Sequence, residues 1–258
     1  MDNKIYEKIT QKKEFSRLPK KDVELAFSHF EKRQISNEEK IRLTRELLHK
    51  VFGAFASQKL LSPKNKDEEW ILRKHLSTRE RLLYYSELYK KLLKNYCNQE
   101  ITLIDLGAGV NGFSYKFLQN LNLKINYVGV EAVGQLVELI NNYFANKKLN
   151  AKAVHESLFN LEKIKKIIAE TKNPRIIFLF KVLDSLEMLE RDYSKKLLKE
   201  IVPLADKIVI SFATQSMIKR KKFKVERHWI LNFIRENFQI LEDFEVGGER
   251  YICFNKRD

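Results

Sequence analysis

Apolar residues recur at three-to-four spacing through the first 97 positions and then change to short, solid runs. Val23, Leu25, Ala26 and Phe30 share one helical face, and Ile41, Leu43, Leu47, Leu48, Val51 and Phe55 continue the same period. Ser36, followed by Asn37, Glu38 and Glu39, predicts a capped helix start with an acidic first turn. Ser62-Pro63 predicts a break. From 67 to 96 a long helical pattern runs through Trp70, Ile71, Leu72, Leu76, Leu82, Leu83, Leu88 and Leu92, and no strand is predicted in this third of the chain.

Beyond it, residues 101–106 form an apolar run that ends in glycines, as a buried parallel strand does. Similar runs follow at 125–130, 151–154, 175–183 and 207–212, separated by helical stretches near 112–121, 133–147, 160–171, 190–200 and 227–237. This alternation predicts an α/β fold with a Rossmann-like open sheet. The end of the chain differs: 238–246 and 249–254 are strand-like and joined by Gly247-Gly248, so a hairpin and an antiparallel last strand are expected. The expected organisation is an all-helical segment, 1–97, before a sheet domain, 98–258.

Composition narrows the class. The chain has 258 residues, 44% of them hydrophobic, which supplies a core and excludes wholesale disorder. Two cysteines, Cys97 and Cys253, cannot build a disulfide framework, and no Cys/His spacing suggests a metal. No apolar run reaches membrane-spanning length and the N-terminus has no secretory apolar stretch, so a cytoplasmic protein without membrane contact is expected. Lys and Arg number 49 against 34 Asp and Glu, a formal charge of +15 that favours a polyanionic partner such as nucleic acid.

Where the first strand meets the first helix of the sheet region stands Ile104-Asp105-Leu106-Gly107-Ala108-Gly109-Val110-Asn111-Gly112. Glycines here let the backbone turn sharply and approach a ligand. Glu131, ending the second strand, is positioned to accept hydrogen bonds from ribose hydroxyls, so the pair predicts a nucleoside cofactor. Asp105, two residues before the first glycine, and the closing hairpin favour S-adenosylmethionine over a dinucleotide. Glu156, just past the third strand, falls where such enzymes often hold the adenine amino group.

Lys74-His75-Leu76-Ser77-Thr78-Arg79-Glu80-Arg81-Leu82 resembles the H-x-S-T-R-E-R-L signature of the aminoglycoside-resistance 16S ribosomal RNA (guanine-N7) methyltransferases. Three further segments fall in the same order: 105–111 is similar to D-x-G-x-G-x-N, 179–183 with Leu186-Glu187 to L-x-K-x-L-P-x-L-E, and 211–216 to S-F-P-T-R-S. The resemblance spans about 70–255 and implies a class I methyltransferase sheet preceded by an RNA-binding helical extension. It implies that His75 and Arg79 lie over the cofactor, with Arg79 near its carboxylate, and that Lys181 faces the pocket. Arg81 is open to the cofactor, the RNA or a salt bridge. Departures from the pattern are Gly112 and Asp184 in place of prolines, Ala213 and Gln215 in place of Pro and Arg, and a basic stretch at 217–224 in place of a glycine-rich one. These fall on the substrate side and bear on the target base.

The expected cofactor-binding set is therefore His75, Arg79, Asp105, Gly107, Ala108, Gly109, Glu131, Glu156 and Lys181. Neither cysteine is near an expected active-site loop, and the amine-methylating D/N-P-P-Y/F motif is replaced by Lys181-Val182-Leu183-Asp184. Guanine N7 offers an in-plane lone pair with no proton to remove, and suits a site without a general base. Asp184 is left as a contact to a base edge or a helix cap. For RNA the expected contacts are Lys219, Arg220, Lys221, Lys222, Lys224 and Arg227, with Phe223 available to stack. Lys12, Lys13, Arg17, Lys20, Lys21, Lys32 and Arg33 make a second basic region. The resemblance implies guanine-N7 methylation in the decoding region of 16S rRNA; a monomer acting on the assembled 30S subunit is expected, and the alternatives are another rRNA or tRNA base, or a non-catalytic RNA-binding protein.

Overall fold

The computed structural model describes residues 1–53, 60, 66–214 and 227–257. The basic run Lys219, Arg220, Lys221, Lys222 and Lys224, together with Phe55 and Ser62-Pro63, lies outside the described residues.

Among the described residues, seven strands form one sheet: β1 Glu100–Leu106, β2 Lys124–Glu131, β3 Ala151–His155, β4 Arg175–Phe180, β5 Lys207–Ala213, β6 Phe238–Val246 and β7 Glu249–Lys256. Their order is β3-β2-β1-β4-β5-β7-β6. The first five are mutually parallel, and β7 enters antiparallel between β5 and β6. The central strands β1, β4 and β5 are buried along nearly their whole length, which is why they read as continuous apolar runs. β6 is an edge, and its exposed Gln239, Asp243 and Glu245 discourage pairing with another sheet.

The helices are α1 Asn3–Thr10, α2 Lys20–Glu31, α3 Asn37–Leu48, α4 Glu68–Lys74, α5 Leu76–Arg81, α6 Tyr85–Leu93, α7 Tyr115–Gln119, α8 Gly134–Asn146, α9 Leu161–Ala169, α10 Leu183–Leu189, α11 Tyr193–Ile201 and α12 His228–Asn237. Ser36 caps α3, accepting from the Glu39 amide at 3.2 Å. The long pattern from 67 to 96 is three helices rather than one. His75 adopts an extended backbone between α4 and α5, and its Nδ1 accepts from the Thr78 amide at 3.4 Å. The strand expected over 175–183 ends at Phe180, because Lys181 has φ 58° and turns the chain into α10.

On α2 the buried face is Asp22, Val23, Ala26 and Phe27, so the inward stripe includes a carboxylate and is rotated from the Leu25/Phe30 reading. This helical segment is fastened to the sheet region by polar contacts. The Gly134 amide donates to the Arg17 carbonyl at 3.2 Å, Gln135 donates to the Lys13 carbonyl at 2.7 Å, and Arg17 pairs with Glu138. The Lys21 ammonium donates to the Phe159 carbonyl, and a His29 ring nitrogen lies 2.8 Å from the Leu189 carbonyl oxygen. Arg17 and Lys21, expected in a basic RNA-facing region, are thus engaged within the chain. The buried apolar cluster runs without interruption from Ile9 through the strands to Phe254.

A Cβ on Gly134 would sit 3.0 Å from two atoms of the Arg17 side chain and 3.2 Å from its carbonyl. Gly134→Val should therefore push the segment before α2 off the start of α8 at a cost of about 1–3 kcal/mol. Hydrogen exchange should then rise in residues 1–31 while β1 and β4 stay protected; unchanged exchange in that segment would show the contact to be dispensable.

Candidate functional site

Beyond the carboxyl ends of β1, β2 and β4, where open α/β sheets bind ligands, lies a cleft. Its floor is the glycine turn. Gly107 has φ 74° and Gly109 φ 54°, in the left-handed region. A Cβ on Gly107 would meet Val182 at 2.6 Å, and one on Gly109 would meet His75 at 2.8 Å, so both positions exclude a side chain on two grounds. Glu131 holds the turn from β2: one carboxylate oxygen accepts from the Gly109 amide and the other from the Val133 amide, each at 2.8 Å. Burial pushes the Glu131 carboxyl above its usual range, against those amide bonds.

Asp105, at the end of β1, accepts from the Tyr127 hydroxyl and the Asn111 side-chain amide, both at 2.7 Å. Burial raises its pKa, and these donors oppose the rise. Asn111 in turn accepts from the Tyr85 hydroxyl at 2.6 Å and from Arg81 at 3.0 Å. Helix α5 turns Ser77, Thr78 and Arg81 inward, the spacing of one helix face. The Arg81 guanidinium is 3% exposed; it donates to Asn111, to Ser77 and, at 3.2 Å, to Glu249 at the start of β7, and lies 4.8 Å over the Phe180 ring. Lys181 reaches the same Glu249 at 3.1 Å and also pairs with Glu80, while Ser211 donates to Glu249. Burial works against the Glu249 charge, but Arg81 and Lys181 outweigh it and hold the carboxyl below its usual range. Burial and the same two cations push His75 down to about 3, so its ring is neutral.

His75, Asp105, Gly107, Ala108, Gly109, Glu131 and Lys181 all line this cleft. Arg79 does not: it is on the outward face of α5 and exposed, and Arg81 occupies the inward position. Glu156 also stands outside the lining, its carboxylate taken by the Ser157 amide, the Asn160 side chain and Lys163. Asp184 and Arg227 are paired with each other, at 2.6 Å, and α10 is preceded at its cap position by Val182, so Asp184 is not the cap.

Three groups escaped the sequence reading in different ways, Asn111 and Asp22 in the cleft lining and Glu249 behind Arg81 and Lys181. Asn111 was inside the glycine motif but had no assigned partner. Glu249 was signalled by a charge opening a strand that is otherwise apolar at Tyr251, Ile252, Cys253 and Phe254. Asp22 was signalled by its i,i+4 spacing from Ala26 on a buried face. Its carboxyl lines the cleft beside Glu131, Leu158 and Phe159. Burial pushes it up to about 7; Glu131 and Glu156 add repulsion, and the Ser157 hydroxyl opposes the rise.

The profile of the family described as Ribosomal RNA methyltransferase (FmrO) matches residues 67–229. The chain belongs to this family. That span holds the glycine turn, Arg81, Glu131 and Lys181, whereas Asp22 and Glu249 lie outside it. The 16S rRNA (guanine(1405)-N(7))-methyltransferase of Proteus mirabilis is 24% identical over 191 residues, 72% of this chain and 64% of that protein, so the chain spans a little under two thirds of its relative's length. Two solved structures share the fold of this rRNA methyltransferase family member. The 16S rRNA methyltransferase RmtF, crystallised with S-adenosyl-L-homocysteine, has TM-score 0.78 at 19% identity with 100% of each chain covered. The 16S rRNA methylase RmtB has TM-score 0.73 at 17% identity with 98% of each covered.

Two outcomes follow for the family site. Glu249→Gln leaves Arg81 and Lys181 buried with one counter-charge fewer, and should cost about 3–5 kcal/mol in urea unfolding; a loss below about 1 kcal/mol would mean the cluster is not coupled to the fold. For Asp22, the folded pKa lies above the unfolded value of about 3.9. Its favourable contribution is full below that value and is lost as pH rises through about 7. Asp22→Asn should therefore gain stability relative to wild type between pH 5 and pH 7.5, and parallel curves would contradict the shift.

Proposed function

We propose that this chain transfers a methyl group from S-adenosylmethionine to N7 of a guanine in the decoding region of 16S rRNA, acting as a cytoplasmic monomer on the 30S subunit. The observation that carries the reading is the cleft itself: a glycine turn, Glu131 and Arg81 set along the strand ends of a sheet with an inserted antiparallel β7, in a chain of the ribosomal RNA methyltransferase family. The Proteus mirabilis relative is named for that base and atom, and RmtF was crystallised with the demethylated donor.

The residues fit such a donor. Each Glu131 oxygen carries one amide bond and retains a lone pair for a ribose hydroxyl. Three of the five Arg81 N–H groups are used within the chain, which leaves two for the donor's carboxylate; Arg81 rather than Arg79 takes that role. Asp105 suits the donor's ammonium, and the side-chain-free Gly107 and Gly109 admit its backbone-like portion. When bound, S-adenosylmethionine supplies a methyl group made electrophilic by its sulfonium. His75, neutral, walls the cleft without setting a positive charge beside that sulfonium. Lys181 is matched by Glu80 and Glu249 and adds no net charge. Guanine N7 carries a lone pair and no proton, so alignment and exclusion of water are the tasks left to the chain, and no general base is required.

Lys219, Arg220, Lys221, Lys222 and Lys224 follow β5 in the sequence, and β5 ends at the cleft side of the sheet; with Arg227 and the helical segment 1–97 they are the proposed RNA contacts. Reversal of Lys221 and Lys222 to Glu should weaken binding to 30S subunits and flatten its salt dependence; unchanged affinity would remove that role. The reading as a whole is tested by incubating the chain with 30S subunits and labelled S-adenosylmethionine and mapping the modified nucleotide. Label at guanine N7 of the decoding site is expected, label elsewhere would reassign the target, and no binding of S-adenosylmethionine by calorimetry would overturn the enzyme reading.

A further inference from the structure

The cleft has a polar group at each end. Arg81 and Lys181 stand at the β4 side, Glu131 in the middle on β2, and past β3 the lining is Leu158, Phe159 and Asp22. An elongated donor with its amino-acid end at Arg81 and its ribose at Glu131 has its base toward β3. The carboxylate that follows β3 in sequence, Glu156, is turned away and fully engaged with Ser157, Asn160 and Lys163. The carboxylate that faces the cleft there comes from the other end of the chain.

Asp22 is 1% exposed. One side of its carboxyl takes the Ser157 hydroxyl, which itself accepts from the Phe159 amide at 3.1 Å. Its Oδ2 has no partner among the described residues. A buried acceptor left without a donor is costly, and cores rarely tolerate one without a reason. α2 is held in place at both ends of this contact, by Lys21 on the Phe159 carbonyl and His29 against the Leu189 carbonyl, so the carboxyl is aimed rather than loosely packed.

We propose that Asp22 reads the base of the methyl donor, its Oδ2 accepting a hydrogen bond from the exocyclic 6-amine of adenine. Only that amine donates from the adenine edge opposite a carboxylate, and a 6-oxopurine presents an acceptor at the same place. Leu158 and Phe159 supply the apolar surface against which a flat base lies. The helical segment thereby completes the donor site as well as lying next to the sheet. Asp22 lies outside the residues 67–229 matched by the family profile.

The inference rests on the donor-binding reading, and calorimetry with two ligands separates their failures. S-adenosylhomocysteine and S-inosylhomocysteine, which carries a 6-oxo group, are titrated into the full chain. At pH 8.5, where the carboxyl is ionised, wild type should prefer the amine by roughly 10- to 100-fold, the span of a hydrogen bond to a charged group. Asp22→Asn should bring the two affinities close together, because its amide can turn its NH2 toward the 6-oxo group. Asp22→Ala should lose the preference as well, while Glu131→Ala should weaken both ligands and keep the preference. Equal binding of the two ligands by wild type overturns the proposal without need of any variant, as does a preference that survives in Asp22→Asn. Failure of wild type to bind S-adenosylhomocysteine overturns the donor site itself.

Discussion

Two cations and two carboxylates balance one another at a largely buried junction of Arg81, Lys181, Glu249 and Glu80, beside the cleft. They come from three parts of the fold: Glu80 and Arg81 from α5, Lys181 from just past β4, and Glu249 from the start of β7. A buried charge without its partner is more costly than the pair is stabilising. The junction therefore fixes where α5 lies relative to the strand ends more firmly than apolar contact would. Ser211 on β5 and Asn111 after the glycine turn extend it sideways, so four strands and one helix are brought to a common register. The left-handed Lys181 is explained by the same constraint: its backbone conformation ends β4 where its ammonium reaches Glu249 and Glu80.

The cleft's two other carboxylates obey different logic. Asp105 and Glu131 are satisfied by hydroxyl and amide donors and keep capacity for a ligand. Asp22 is left half-satisfied, delivered by a helix nearly 110 residues earlier in the chain than Glu131 and held by Arg17, Lys21 and His29 to the sheet region. Stability is lower for that arrangement as pH rises, and the compensation lies in what the carboxyl can recognise. The helical segment and the sheet are joined by one continuous core, so the donor site and the proposed RNA-facing helices are mechanically linked.

Much of this was legible in the sequence. Buried parallel strands announce themselves as apolar runs, and Gly247-Gly248 announced the hairpin, so the sheet followed from local pattern. The glycine turn and Glu131 followed from residue type at a strand end. What local pattern could not supply was pairing across the fold. Arg79 and Arg81 are two residues apart, and only the break at His75 settles which one faces inward. Glu156 was the nearest acid in sequence, yet Asn160 and Lys163, four and seven residues on, capture it. Glu249 and Asp22 matter through partners 168 and about 135 residues away, at Arg81 and Ser157, separations that no periodicity records.

The most direct test of the junction as the organiser of the cleft is a double-mutant cycle on donor affinity. Arg81→Met, Glu249→Gln and the two together are compared with wild type by calorimetry with S-adenosylmethionine. If the cluster sets the cleft, the second substitution adds little to the first, and the coupling amounts to about tenfold in affinity or more. If the two losses simply multiply, Glu249 and Arg81 act independently, and the buried ion cluster does not organise the site.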